Sequence, residues 1–189
     1  MSMRPTSTGI GQPVRRREDL RLLTGQGCYS DDVSVPGQAY AVMLRSPHAH
    51  ALIRAIDARV AEAAPDVLAV LTGRDLLADG LRAIPHAVRM GHPADIQLEN
   101  KDGSEPYVPP HFPMASDEVH HVGEIVAVVV ATRVTAAKDA AELVEVEYAP
   151  LPAVTQSRSA VALGAPLIRS GTATNVCLEG RFDGSRARI

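Results

Sequence analysis

The apolar positions of this chain fall into short stretches separated by Gly, Pro and Asp. Gln38 to Arg45 alternates and is rich in β-formers at its centre, which predicts a strand. Leu52 to Ile56 predicts a second strand, after the connection Ser46-Pro47-His48-Ala49-His50. Asp57 is placed to cap a short helix running through Ala64, because its carboxylate can accept the free amides of a first turn. Pro65 ends that helix, since it has no N–H for the ladder and restricts Ala64. Val67 to Leu71 predicts a short buried strand. Thr72 then caps another short helix, with Asp75 near its positive end and Gly80 closing it.

The strongest local pattern follows. Glu118 to His121 predicts a strand, Gly123 a turn or bulge, and Ile125 to Ala131 a fully buried strand of β-branched residues. Thr135 opens a helix with Ala136, Ala140, Leu143 and Val144 on one face and Lys138, Asp139, Glu142 and Glu145 mostly on the other. Val146 to Tyr148 leaves as a strand, stopped by Pro150 and Pro152. Strand, helix, strand in that order predicts a right-handed crossover and a mixed α/β layer.

The remaining stretches are less periodic. Residues 1 to about 13 are rich in Ser, Thr, Gly and Pro and read as a flexible arm. Arg15 to Asp19 leads through Leu20, Leu22 and Leu23 to Gly25, a short helical turn with a glycine stop. From Leu81 to Met114 six prolines interrupt the pattern. That is long for a connection, so the segment is either an ordered functional excursion or a wrap around a partner. Residues 155 to 189 do not close a domain of their own and read as a strand and linker leading elsewhere.

Composition narrows the function classes. A chain of 189 residues suits one domain, or one domain with an arm. Only 3% of residues are aromatic and the net charge is -3, so the basic stripe and stacking residues of a nucleic-acid binder are missing. The longest apolar run, Ile125 to Ala131, falls well short of the roughly 20 residues a membrane span needs. The N-terminus lacks a signal-peptide core. The expectation is a soluble, cytoplasmic protein, with Cys28 and Cys177 as reduced thiols.

Seven histidines raise the question of a metal: His48, His50, His86, His92, His111, His120 and His121. On one extended strand His48 and His50 would share a face, but no Cys, Asp or Glu accompanies them at a ligand spacing. They are expected to serve packing or hydrogen bonding near a strand end. His120 and His121 would point to opposite faces of a strand. Gly9-Ile10-Gly11 and Gly25-Gln26-Gly27 do not complete a dinucleotide fingerprint and read as turns. The cluster Arg15 to Arg17 reads as a solvated face beside Glu18 and Asp19. Asp31-Asp32 reads as a pair bonding turn amides. No residue is assigned a catalytic, cofactor-binding or metal-binding role.

Four stretches, taken together, resemble the large subunit of the molybdenum hydroxylases, the family of xanthine dehydrogenase, aldehyde oxidase and carbon monoxide dehydrogenase. The first runs from Arg17-Glu18-Asp19 through Thr24-Gly25 and Gly27-Cys28-Tyr29 to Asp31-Asp32. The second is Arg45-Ser46-Pro47-His48-Ala49-His50-Ala51 with Ile53 and Ile56-Asp57. The third is Pro65-Asp66-Val67 through Leu71-Thr72-Gly73-Arg74-Asp75. The fourth is Val122-Gly123-Glu124 through Ala131, with Ala136 to Val144, Val146-Glu147-Tyr148 and Leu151-Pro152.

The resemblance implies an α+β fold of the α/β-hammerhead type, a mixed sheet with short helices packed on it. It implies an arm over 1–16, a hammerhead domain over 17–154, and a tail or linker over 155–189 toward a molybdopterin-binding region. Family large subunits continue for several hundred residues, and their pterin-binding segments and catalytic Glu lie in that continuation. Val122-Gly123-Glu124 matches the hammerhead's own Val-Gly-Glu, which is not the catalytic one. Phe182-Asp183-Gly184 reverses the Gly-Asp expected before the next domain. The implied role is a structural and interface domain of a molybdenum-dependent oxidoreductase, inert alone. Molybdopterin, iron–sulfur clusters and FAD would sit elsewhere in the parent enzyme. The implied partners are the remainder of the large subunit or a molybdopterin-binding chain, iron–sulfur and flavin subunits, and a second copy through self-association. Two other readings stay open: a free-standing interaction or assembly module with this fold, and a small enzyme using the histidines.

Overall fold

The computed structural model describes residues 16–85 and 98–180. The arm up to residue 15, His86, His92, Val88, Met90, Ile96 and the basic end from Arg181 lie outside the described residues. The chain divides into two units, Met1–Gln38 and Ala39–Ile189.

In the first unit, helix α1 (Asp19–Leu23) forms as the sequence predicts. The Thr24 hydroxyl donates to the Leu20 carbonyl at 2.7 Å, and Gly25 follows at φ 72°, a conformation that costs glycine least. A single 3₁₀ turn, Ser30–Asp32, is held by the Asp32 carboxylate, which accepts the Tyr29 amide at 2.9 Å. This is the turn-bonding role expected of the acidic pair, and Asp32 is the member that fills it.

The second unit holds the core. Its elements are β1 (Tyr40–Arg45), β2 (Ala51–Asp57), α2 (Arg59–Glu62), β3 (Val67–Thr72), α3 (Gly73–Ala78), β4 (Glu118–Val119), β5 (Ile125–Ala131), α4 (Val134–Ala141), β6 (Glu145–Pro150) and α5 (Ser157–Ala160). They form two three-stranded sheets, ordered β1-β5-β3 and β4-β2-β6. The helices are short and packed on strands, the α+β architecture that the sequence implies. All four strand pairings are antiparallel.

β5 is the central strand of its sheet, and Val126, Ala127, Val129 and Ala131 are fully buried. A strand covered on both faces needs no polar alternation, which is why its sequence is a continuous apolar run. α4 lies over this sheet. Its buried positions are Ala136, Ala137, Ala140 and Ala141, small side chains that let the helix sit close to the strands.

Two expectations are corrected here. Leu143 does not join the buried face: it is 41% exposed, while Val144 is buried. The helix ends at Ala141, and the Leu143 amide bonds the Ala140 carbonyl, a tighter three-residue step. That tightening rotates Leu143 off the face a 3.6-residue period assigns it. The predicted crossover also does not form within one sheet. β5 and β6 belong to different sheets, so α4 carries the chain from one sheet to the other, where β6 pairs with β2.

The helix starts follow local chemistry. Asp57 Oδ1 accepts the Arg59 amide at 3.1 Å ahead of α2. At α3, Thr72 Oγ1 accepts the Asp75 amide while Asp75 Oδ2 accepts the Thr72 amide at 2.7 Å, a reciprocal capping box.

The long segment before β4 returns to the core at its end. Met114 and Ala115 are buried, and the Ala115 amide donates to the Ile125 carbonyl at 2.8 Å. Ala115 joins Ala51, Ile53, Val119 and Val126 in one apolar cluster. The same segment also bonds the tail. The Lys101 amide donates to Glu179 O and the Tyr107 amide to Cys177 O, each at 2.9 Å.

Candidate functional site

The end of β1 and the turn before β5 are clasped together by main-chain bonds. The Ser46 amide donates to the Glu124 carbonyl at 2.9 Å, and the Gly123 amide donates to the Ser46 carbonyl at 2.8 Å. The Arg45 guanidinium adds a bond to the Gly123 carbonyl at 2.8 Å. Gly123 has φ 86°, and a side chain there would meet no atom within 4 Å. The glycine is therefore needed for backbone conformation and not for space.

This clasp brings a line of imidazoles and carboxylates together. His50 is buried. Its Nε2 lies 2.7 Å from Glu118 Oε1, and its Nδ1 lies 2.8 Å from the Pro152 carbonyl. The Ser170 hydroxyl donates to the same Glu118 Oε1 at 3.1 Å. The His120 ring stacks beside His50 at a centroid distance of 6.3 Å. His120 Nε2 stands 3.9 Å from Glu118 Oε2, and the His120 amide donates to Glu124 Oε2 at 2.5 Å.

His120 Nδ1 is 3.5 Å from Glu124 Oε2, close enough for charge attraction but not aligned for a hydrogen bond, and this buried atom has no hydrogen-bond partner. Burial pushes the Glu124 carboxyl up, but the His120 side chain and amide and the charges of His120 and His121 outweigh it. The carboxyl ends below its usual range.

The sequence reading of the histidines is partly redrawn. His48 and His50 both precede β2, so no strand alternation places them on one face. The His48 ring packs on Tyr148 at 4.8 Å, while His50 turns to Glu118 and Pro152. Burial raises the Tyr148 hydroxyl, and a Ser46 hydrogen bond offsets part of that. β4 ends at Val119, so His120 and His121 are not on opposite faces of a strand; both act on Glu124. Glu118 and Ser170 carry no sequence signal as partners of His50, because 68 positions separate Glu118 from His50 and 52 separate it from Ser170. Glu124 is only four positions from His120, a spacing from which the contact could have been read.

Beside the cluster lies a cleft of about 410 Å³, lined by Arg45, His111, Glu118, His120, Glu124 and Arg169, among others. The chemistry on offer is proton sharing. Ser170 touches the carboxylate and not the imidazole, so the order is serine, carboxylate, imidazole, which differs from the serine, imidazole, carboxylate order of a nucleophilic triad. Among the described residues, no three His, Cys, Asp or Glu side chains converge to hold a metal ion, and no helix is long and apolar enough to cross a membrane.

Residues 24–152 match the family model described as the aldehyde oxidase and xanthine dehydrogenase a/b hammerhead domain. The carbon monoxide dehydrogenase large chain of Afipia carboxidovorans is 38% identical over 161 residues, 85% of this chain and 18% of that protein. The nicotine 6-hydroxylase large subunit of Paenarthrobacter nicotinovorans is 37% identical over 177 residues, 93% of this chain and 20% of that protein. Among solved structures, quinoline 2-oxidoreductase from Pseudomonas putida 86 superposes with a TM-score of 0.71 at 41% identity, covering 89% of this chain and 20% of that one. The chain thus spans about a fifth of the length of the relatives it matches.

Proposed function

Because this chain belongs to the aldehyde oxidase and xanthine dehydrogenase a/b hammerhead domain family, we propose that it is the structural and interface domain of a molybdenum-dependent hydroxylase large subunit and is catalytically inert alone. The observation that carries this reading is the coverage. Matches span most of this chain and only 18–20% of the relatives, so what those enzymes share with it is the hammerhead segment and not their full length. One similar chain is named as a xanthine dehydrogenase molybdenum-binding subunit, and one superposable structure as a copper- and molybdenum-containing carbon monoxide dehydrogenase.

In this reading the described residues of the domain hold no such cofactor, and their imidazoles and carboxylates are spent on one another. Both ring nitrogens of His50 are taken up by Glu118 and Pro152, and among the described residues His120 Nδ1 is a buried side-chain nitrogen without a hydrogen-bond partner. In this proposal the molybdopterin, the iron–sulfur clusters and the flavin are held by other segments or subunits of the parent enzyme. The hammerhead supplies a rigid packed block and docking surfaces. Hydroxylation requires a cofactor and a general base within hydrogen-bond reach of the substrate. The carboxylates of this cluster are already engaged by histidines.

The test is turnover. The purified chain is assayed with carbon monoxide, an aldehyde and a purine, and analysed for molybdenum and for fluorescent pterin after oxidation. Rates equal to a denatured control, with no co-purifying pterin, are expected. Turnover by the chain alone would overturn the reading.

A further inference from the structure

We propose that His50 and Glu118 form a proton-dependent latch that fastens the segment after β6, and through Ser170 the tail, to the β4-β2-β6 sheet. A neutral imidazole has one N–H donor and one bare acceptor nitrogen. His50 has an acceptor at each end: a carboxylate oxygen 2.7 Å from Nε2 and a main-chain carbonyl 2.8 Å from Nδ1. The Pro152 carbonyl can only accept, so Nδ1 must carry a proton. The Nε2 to Glu118 contact then needs a proton as well, on Nε2 or on the carboxyl. In either arrangement the pair holds two protons where a neutral histidine beside a carboxylate would hold one.

The place of this pair gives the extra proton a mechanical role. His50 is 92% buried, taking its 8% exposure, so water cannot replace a lost partner cheaply. The His50 carbonyl also accepts the Leu151 amide at 2.9 Å, so side chain and backbone of one residue hold positions 151 and 152. Glu118 Oε1 accepts from Ser170, and the neighbouring tail is organised by Asn175, whose Oδ1 accepts the Ile168 amide at 2.8 Å.

Among the described residues, the titratable groups facing the pair are His120 and, behind it, Glu124 and His121. Arg45, His111, Asp117 and Arg169 line the adjoining cleft. Removal of the second proton by rising pH leaves two lone pairs facing each other, at Pro152 or at Glu118, and the latch opens.

Glu118→Gln separates this mechanism from ordinary packing. A glutamine NH2 at the Oε1 position can donate one N–H to His50 Nε2 and the other to the Ser170 oxygen, while Nδ1–H donates to Pro152. The network is then complete with one imidazole proton. Hydrogen exchange on the whole chain reads the outcome at the Leu151 and Ile168 amides, corrected for intrinsic rates. In the wild type, protection at both sites should fall as pH rises, by about tenfold per pH unit at the steepest point, as release of one proton requires. In Glu118→Gln it should stay flat. Matching pH profiles in the two proteins, or a flat wild-type profile, would overturn the latch. A second readout needs no variant. Nitrogen chemical shifts of His50 should show a protonated Nδ1 while the latch is closed, and a bare Nδ1 in that state would overturn it too.

Discussion

A side chain on Gly73 would stand 2.3 Å from the carbonyl oxygen of Ala115 and 2.6 Å from its carbonyl carbon. Gly73 is the first residue of α3, and Ala115 is the buried end of the long segment that returns to β4. The two backbones touch, and the obstruction is main chain that cannot swing away. Arg74 reinforces the contact from the next position, bonding Asp117 Oδ1 at 2.9 Å.

Gly73→Ala should therefore lower stability by roughly 1–3 kcal/mol, the scale of forcing an extra carbon into a packed site. Thermal melting checks this. An unchanged melting temperature would mean that residues 115–116 move aside freely. Arg74→Ala should cost far less, because that ion pair is exposed on both sides.

Gly123 fails differently. Nothing lies within 4 Å of a side chain placed there, so the obstacle is its φ of 86° alone. Gly123→Val should cost about 1–3 kcal/mol, the strain of a β-branched residue in the left-handed region. Gly123→Asn should recover much of that loss, since Asn tolerates the conformation. Asn at Gly73 should rescue nothing. The paired melts distinguish conformational need from close approach.

The sequence announces one of these glycines and conceals the other. Gly123 falls between two strand readings, so a bulge or turn is expected there. Gly73 follows a capping threonine and looks like an ordinary first helical residue. Its true constraint comes from Ala115, which local periodicity cannot see. The same divide runs through the fold. β5 and the α3 cap are local features and are legible; the exposure of Leu143 depends on a single tightened turn. The meeting of His50, Glu118 and Ser170 requires the sheet order itself.

Acid should loosen the clasp around Glu124. Its carboxyl lies below the ordinary 4.5 because the His120 and His121 contributions exceed the opposing effect of burial. A depressed carboxyl contributes stability that is present above the unfolded value and lost as pH falls through the folded one. Stability should thus decline in the range just below 4.5, and Glu124→Gln should flatten that decline. The difference should be below about 1 kcal/mol, since solvent screens a partly exposed group. Equal acid melting curves for the two proteins would show that Glu124 is not linked to folding.

The tail is expected to behave as two populations, and its apolar residues explain why. Leu163 and Val161 are exposed, and Leu167 is 38% exposed. In contrast, positions 177 and 179 are tied to the long segment before β4 through Tyr107, Lys101 and Asn100, with a Lys101–Glu179 ion pair beside them. Amides of Tyr107, Lys101 and Glu179 should exchange slowly, because each has a defined acceptor. Amides around Leu163 should exchange fast. Exposed apolar side chains in one stretch also favour association. Sedimentation of the chain should show concentration-dependent self-association that Val161→Ser with Leu163→Ser weakens. These changes should leave the unfolding free energy of the dilute protein within about 0.5 kcal/mol of wild type, since surface substitutions seldom do more. Uniform protection across the tail in a monomer would mean that it packs as part of the domain, and the exposed leucine would then not mark a docking surface.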